Sequence, residues 1–411
     1  LLSRGLGDVY KRQVKLLAEE KIMFNDIKSA LVYIESKRTK RTLEQFKETI
    51  KKYGFNIYQK NIIHIAGTNG KGSTTNFIKD IMVEHGYRVG TFTSPYLICH
   101  NDRICINGEM ISDERLLMII NSLVEIIESE QLSMFEIDIL IMLRYFDEEE
   151  LDYRIIETGI GGLNDKTNVI DSVCSVITNI GYDHQFMLGD TLAQIAHHKA
   201  GIIKPEQTCF TSEINNDLID IFKAAAEIKN SQVVSVEIDC DYRYPYHFSC
   251  LGYDYQLSNC GSYQVANATL AINVCDYLIE LDHSLVQRAL DGFSWPGRFE
   301  KFGKIYLDGA HNIDGIKALI KTLHDQQIKK ALVIFSALGD KDIEQMEALL
   351  SEYPLIQATF ADERLQLEGI DFKEAIKNNI DLYDHLIITG SLHFISTVRK
   401  YLQNNLIEKQ V

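Results

Sequence analysis

The sequence predicts an α/β protein of two domains. The N-terminal domain is built on a mostly parallel sheet with helices on both faces, and the C-terminal domain is smaller. Three observations carry that prediction. Short apolar runs of strand length alternate with stretches whose apolar residues recur at helical spacing; a glycine-rich turn joins the first such run to a helix; and the alternation restarts after "SWPGRFE" (294–300). A parallel neighbour is reached only through a crossover, so strands separated by helices imply a parallel sheet that helices cover. A chain of 411 residues is long enough for two or three cores.

The elements follow in order. Segment 1–22, "LLSRGLGDVYKRQVKLLAEEKI", has no apolar signal-peptide core and precedes Met23. It is expected to be a non-native or disordered extension, with residues 1 to about 13 a scar of cloning or start-site choice. Phe24, Ile27, Leu31 and Ile34 then mark a helix over 24–36, and a second helix over 42–53 ends at Gly54. "IIHIA" (62–66) reads as a buried strand leading through the glycine turn into helical "TTNFIKDIMVEH", closed by Gly86. Further strands are expected at 87–92, 153–158, 172–180 and 207–212, with amphipathic helices at 113–130 and 135–148 between them. Segment 242–263, rich in Tyr and Cys, reads as a small antiparallel excursion before a helix at 264–280. Strands at 304–310, 331–337, 355–361 and 385–391, with a last helix at 392–404, form the second domain. The expected domains are 23–296 and 297–411, with a ligand cleft between them.

Composition narrows the function. With 45% hydrophobic and 24% charged residues the chain is an ordinary globular one, and no apolar run approaches the ~18–20 residues that span a bilayer. A net charge of −16 argues against nucleic-acid or membrane-surface binding. Eight cysteines without a C-x-x-C pair suggest neither a zinc ribbon nor a disulfide framework, and they suit a reducing compartment. A cytoplasmic monomer acting on small molecules is expected.

Residues 64–75, "HIAGTNGKGSTT", carry the first chemical signal. Gly67, Gly70 and Gly72 permit tight turning, so that successive N–H groups and a positive helix end face an anion. Lys71 can neutralise phosphates, and Ser73 or Thr74 can donate from the helix start. The common G-x-x-x-x-G-K-[ST] spacing is not met, because Gly72 separates Lys71 from Ser73. Glu157 and the loop "GIGGLNDKTN" (159–168) end one later strand, and Asp183 and His184 follow the next. A carboxylate and an imidazole there could ligate Mg²⁺ or could be satisfied polar packing, since Mg²⁺ prefers oxygen. Lys199, on a helical segment with no carboxylate near it in sequence, reads by itself as a solvated lysine.

"AGTNGKGST", "TSPYL" (93–97), "FE" (135–136), "GDTLAQIAHHKAGIIKP" (189–205), "PGRFE" (296–300), "DGAHN" (308–312) and "DKD" (340–342) occur in one order. Together they resemble folylpolyglutamate synthase/dihydrofolate synthase, within the Mur ligase superfamily, over about residues 23–405. That superfamily's phosphate loop carries the extra glycine. The resemblance implies a P-loop-type N-terminal domain, a Rossmann-like C-terminal domain, and ATP-dependent addition of L-glutamate to folate or dihydropteroate through an acyl phosphate. It implies that Thr68, Asn69, Gly70, Lys71, Gly72 and Ser73 hold the ATP phosphates, with Asn267, Arg298, Asp308 and His311 at the nucleotide. Ser94, Glu157 and His184 match Mg²⁺ ligands, and Lys199 matches a lysine that CO₂ converts to a carbamate, helping to hold the second of two ions. Ser133, Met134, Phe135 and Glu136, with Asn164, Asp165 and Lys166, match segments lining the pteroate or folate pocket. Lys71, His184, Lys199 and Arg298 are thereby expected to be catalytic.

The chain departs from the family pattern at Leu163, where arginine is usual, and at Lys166, Tyr96 and Ile313, where alanine, histidine and proline are usual. These positions bear on pterin and glutamate contacts rather than on the proposed Mg²⁺ ligands. Alternative readings are a peptidoglycan-type Mur ligase, a P-loop kinase or GTPase, and a non-catalytic nucleotide-binding paralogue.

Overall fold

The computed structural model describes residues 23–407 apart from 60, 340, 341 and 366, so the 1–22 extension and most of the "DKD" block lie outside the described residues. The chain divides into two compact units, one drawn from the described residues up to 56 together with 111–149, the other from 57–110 and 150–411.

The first unit is helical: Ile27–Glu35, Leu43–Tyr53, Asp113–Glu130 and Met134–Glu148. Each helix starts at a residue that supplies its first N–H groups with an acceptor. Asp26 and Ser112 do so singly, and Thr42 with Gln45 and Ser133 with Glu136 form reciprocal capping boxes. Gly54, at φ 68, ends the second helix in the left-handed region that its missing Cβ allows. Phe46, Ile50, Ile120, Leu123 and Ile137 are among its fully or almost fully buried side chains.

The second unit holds the sheets. Strands β1 (Ile62–Ala66), β2 (Val89–Phe92), β3 (Ile104–Ile106), β4 (Glu109–Met110), β5 (Tyr153–Glu157), β6 (Cys174–Ile177), β7 (Thr208–Thr211) and β8 (Gln232–Ser235) form one sheet in the order β4-β3-β2-β5-β1-β6-β7-β8. It is parallel from β2 to β8, with β3 and β4 added antiparallel at one edge. Alternation of side chains feeds two cores. Ile63, Ile65, Ile155 and Val176 pack with Phe77, Ile81, Ala268 and Ile272, whereas Ala66, Ile177 and Cys209 pack with Ala196, Ala200, Leu218 and Phe222. Helices therefore cover both faces, as the sequence implies.

Strands β9 (Asp239–Asp241), β10 (Tyr246–Cys250) and β11 (Tyr253–Leu257) make the expected antiparallel excursion, which lays Tyr246, Phe248 and Leu257 on the first core. Strands β12 (Glu300–Phe302), β13 (Ile305–Leu307), β14 (Ala331–Phe335), β15 (Leu355–Thr359), β16 (Ile370–Asp371) and β17 (His385–Thr389) form the last sheet in the order β12-β13-β17-β14-β15-β16. Only β12 pairs antiparallel within it. Among the described residues no helix is long and apolar enough to cross a membrane.

The topology fixes where a site can form. Register pairs Ile65 with Glu157 and Ala66 with Ile177, so β5, β1 and β6 end at one level. The chain leaves β1 toward β2 and β5 and then crosses back to β6 on the other side. Loops diverge at such a switch point and leave a crevice at the carboxyl ends of the strands.

Candidate functional site

The phosphate loop is held open by its neighbours. Gly67, at φ +150, sits where a Cβ would lie 1.7 Å from Thr178 Oγ1, and a Cβ on Gly70, at φ +87, would lie 2.3 Å from Asn267 Oδ1. No larger residue fits either place. The loop after β6 clamps the turn from one side: Thr68 N donates to Asn179 O (2.9 Å), Asn69 N donates to Asn179 Oδ1 (2.9 Å), and Thr178 Oγ1 donates to Asn69 O (2.6 Å). Helix Lys71–Glu84 starts directly after it, bringing first-turn N–H groups that lack acceptors within the helix.

A cavity of about 280 Å³ opens on this loop. Its walls include Lys71, Ser94, Glu157, Asp183, His184 and Lys199 from the first sheet's loops, and Arg298, Asp308 and His311 from the second sheet's. The first group carries poorly compensated charge. Glu157 is 4% exposed; its nearer contacts are Ser94 N at 3.4 Å and Lys71 Nζ at 3.8 Å. Burial pushes its pKa up to about 7, against the pull of Lys71. Lys199 is also 4% exposed, with Nζ donating to Gly67 O at 2.8 Å. Burial, with Lys71 adding to it, pushes its pKa down to about 7, while Asp183 and Asp165 oppose the shift. The reading of Lys199 by itself as a solvated lysine is thus overturned: its side chain runs inward to the phosphate loop's Gly67 carbonyl.

His184 adopts φ 50, the left-handed region that costs a side-chain-bearing residue energy and that functional sites tolerate. Its Nε2 lies 3.9 Å from Asp183 Oδ1, and the other oxygen of Asp183 lies 3.4 Å from His311 Nε2 and accepts from Asn312 Nδ2 at 3.3 Å. Asn312 also exchanges hydrogen bonds with Asn69. The second sheet's "DGAHN" loop is therefore stitched to the phosphate loop.

Asp308 is 3% exposed and well held: it accepts from Phe299 N (2.9 Å), Ala310 N (3.0 Å) and the Tyr263 hydroxyl (2.5 Å). Arg298 Nη1 donates to Gly309 O at 3.3 Å. Asn267 reaches the loop through Thr74 Oγ1 (3.5 Å) and pairs with Gln264, which donates to Ser73 Oγ at 3.1 Å.

The structure thus gathers around one cavity every residue the sequence assigned to phosphate, nucleotide and metal. Asn164, Asp165 and Lys166 are not among the residues lining it. Ser133–Glu136 belong to the helical unit, where Glu136 caps its helix and pairs with Arg41 at 3.3 Å. Asp165 turns inward to accept from Ile160 N, Thr167 N and Thr167 Oγ1, while Asn164 is exposed and Lys166 half-buried beside it. Asn179, Tyr263 and Asn312 were not assigned roles from sequence, whereas Asp183 was read with His184 as a candidate Mg²⁺ ligand or satisfied polar packing. Asp183 and Asn312 were signalled by their place after a strand and inside "DGAHN"; nothing local marks Tyr263.

A divalent cation suits the donor set. Among the described residues no three His, Cys, Asp or Glu side chains are grouped as a self-sufficient metal cage. Mg²⁺ does not require one, since it binds through one or two carboxylates, waters and substrate phosphates. The buried Glu157 carboxylate, its proton affinity raised by burial, has the chemistry of such a ligand.

Comparison with known proteins agrees with this geometry. Residues 65–275 match the Mur ligase middle domain and residues 297–405 the Mur ligase glutamate ligase domain. The chain is 32% identical over 408 residues to the dihydrofolate synthase/folylpolyglutamate synthase of Bacillus subtilis (strain 168), covering 88% of this chain and 95% of that protein. It is 32% identical over 388 residues to the folylpolyglutamate synthase of Lacticaseibacillus casei, covering 84% and 90%. A solved bifunctional folylpolyglutamate synthase/dihydrofolate synthase with Mn, AMPPNP and L-glutamate bound matches with a TM-score of 0.81 at 26% identity, covering 93% of this chain and 100% of that one.

Proposed function

The chain belongs to the Mur ligase family, in its folylpolyglutamate synthase/dihydrofolate synthase branch, and from that premise we propose that it is an ATP-dependent ligase joining L-glutamate to the carboxylate of folates and of dihydropteroate. The observation that carries the reading is the shared cavity: a phosphate loop, a buried lysine and a buried carboxylate from one sheet face an arginine and a histidine from the other.

The chemistry follows from the residues. A carboxylate is a poor electrophile, so its oxygen first takes the γ-phosphoryl group of ATP, giving an acyl phosphate and ADP. The amine of glutamate then attacks the acyl carbon, the C–O bond breaks, and phosphate leaves with the proton shed to solvent or a base. Phosphoryl transfer asks for positioning and charge neutralisation more than for covalent help. Lys71 and the helix start at Gly70 would hold the β- and γ-phosphates, and Arg298 would meet the charge that spreads during transfer. Ser94, Glu157 and His184 would hold Mg²⁺, which when bound neutralises phosphate charge; the relative with Mn and AMPPNP bound supports a nucleotide and a divalent ion at this site. Lys199, with a pKa near 7, is substantially neutral at physiological pH. The lone pair of the neutral amine can add to CO₂ with loss of one proton, giving a carbamate that would be able to serve a second ion. Closure about residues 294–300 would keep water from the acyl phosphate.

The test supplies the purified protein with ATP, Mg²⁺ and L-glutamate, with dihydropteroate and tetrahydrofolate in parallel, and measures product mass. Both are expected to gain glutamate. ATP binding without glutamate transfer to either would overturn the ligase reading. Incubation with ¹³C-bicarbonate should give a carbamate resonance that Lys199→Ala lacks.

A further inference from the structure

The single tryptophan of the chain lies where the extra glycine of the phosphate loop makes room for it. A Cβ on Gly72 would stand 3.4 Å from Trp295 Cζ2 and Nε1, so the indole lies against the start of the phosphate-binding helix. The contact is one end of a strap. Phe293 stacks on Phe77 with centroids 3.7 Å apart and planes 11° from parallel, Asn76 Nδ2 donates to Ser294 O at 3.4 Å, and Trp295 then covers Gly72. The strap therefore follows the helix back to the phosphate loop.

At the other end the chain turns at once. Arg298 N donates to Trp295 O at 3.1 Å, with Pro296 second in the turn and Gly297 third at φ +65, the arrangement of a type II turn. The turn is fastened to the second sheet. Gly309 N donates to Gly297 O (2.8 Å), Gly297 N donates to Glu300 Oε2 (2.8 Å), and Glu300 receives Arg399 Nε on both oxygens at 3.0 Å. A Cβ on Gly297 would meet Ile395 and Leu97 at 3.0 and 3.1 Å, so the turn has little room to shift. Trp295 on the phosphate loop and Arg298 in the nucleotide cavity are thus the first and fourth residues of one braced turn.

We propose that Trp295 is a positioning residue: by resting on Gly72 it sets the Arg298 guanidinium in register with the phosphate loop, so that loop occupancy and arginine placement are coupled through the turn. This rests on the ligase reading of the cavity and extends it to a residue that touches no reacting atom. A Cβ on Gly72 would reach contact distance of both the indole and Glu157 Oε2 (3.5 Å), so side chains longer than alanine's would press on both.

The experiment uses Trp295→Ala, Trp295→Phe and Gly72→Ala, alone and as the Gly72→Ala/Trp295→Ala double variant. Misplacement of a transition-state group by about 1 Å can cost ~10²-fold. Trp295→Ala is therefore expected to lower kcat and kcat/KM together by on the order of 10–10²-fold, with ATP-analogue affinity changed by less than about threefold. Trp295→Phe, which keeps a ring on Gly72, should recover most of kcat. Gly72→Ala, whose methyl is accommodated at contact distance, should cost little, and the double variant should match Trp295→Ala. In the wild type, tryptophan emission should shift when a non-hydrolysable ATP analogue and Mg²⁺ are added. Loss of thermal stability in Trp295→Ala with kcat intact, a double variant markedly poorer than Trp295→Ala, or unchanged emission on saturation would each overturn the proposal. If Trp295→Ala does not fold, the phenylalanine variant and the wild-type emission decide. Should the wild type ligate no glutamate, the ligase reading fails by itself, and the emission shift on ATP analogue alone still tests the coupling.

Discussion

The two parallel sheets send their carboxyl-end loops to one cavity but treat buried charge in opposite ways. On the second sheet, Asp308 is surrounded by donors: two backbone N–H groups and the Tyr263 hydroxyl, at 2.5–3.0 Å. On the first, Glu157 has a backbone N–H at 3.4 Å and a lysine at 3.8 Å, and Lys199 spends its amine on one carbonyl at 2.8 Å. Both carboxylates have pKa values raised by burial, that of Glu157 to about 7. A buried charge without close partners is costly, and a fold keeps it where a ligand completes it. A fully bonded one serves shape. The difference teaches that the incompletely paired buried charges sit on the first sheet's side of the cavity, whereas Asp308 on the second is spent on holding its own loop.

The sharpest way to break that comparison is Lys199→Met. Turnover is expected to fall by on the order of 10³-fold, the scale of losing a preorganised electrostatic group. The ligand-free protein should at the same time melt higher. The sign follows from linkage: with the folded pKa near 7 and the ordinary value 10.5, the unfolded chain holds a proton that the native chain sheds between those values. Lysine at this position therefore lowers stability most below about pH 7, and methionine removes that penalty. A lower melting temperature would place Lys199 among structural lysines. Glu157→Gln comes next, with a loss of ~10²–10³-fold in turnover and weaker Mg²⁺ activation, read from the ion concentration giving half-maximal rate.

The pH profile tests both residues together. Glu157 must be ionised to hold a cation and Lys199 neutral to take up CO₂, and each condition is met above a pKa of about 7. The rate should therefore rise through pH 7 to a plateau. A profile flat from pH 6 to 8 would separate these two groups from the chemistry.

How much of this could be read from the sequence depends on how local each cause is. Gly67–Ser73, Glu157 and His184 were legible because each follows a buried strand whose apolar run is unmistakable. Arg298 and Asp308 became legible only through the ordered blocks around them. Lys199 likewise became legible only through its block: by itself "AQIAHHKA" shows a helix with polar neighbours, and the burial of its side chain is a matter of packing. Trp295 and Tyr263 were missed for the same reason: an indole resting on a glycine and a hydroxyl aimed at a carboxylate are facts of packing. Strands β3, β4, β8, β12 and β16 escaped prediction because they lie at or next to sheet edges, and four of the five lack the all-buried pattern of central strands. The block at 133–136 also has a local structural cause. "FE" is a family block, yet within its own unit Glu136 is a helix cap with an arginine partner.

The smallest expected effect is the most discriminating. Tyr263→Phe removes one of the donors to Asp308 and leaves both backbone donors and the cavity's shape in place. A hydrogen bond to a charged group contributes ~1.5–3 kcal/mol, and the remaining donors should keep the loss near the lower figure. Thermal unfolding should therefore show a modest drop in stability. Turnover should fall by less than about tenfold, because a group that only holds a loop leaves the transition state's own contacts intact. If Tyr263→Phe instead costs as much turnover as Glu157→Gln, Asp308 belongs with the incompletely paired charges of the first sheet. The contrast between the two sheets would then be one of hydrogen-bond count and not of role.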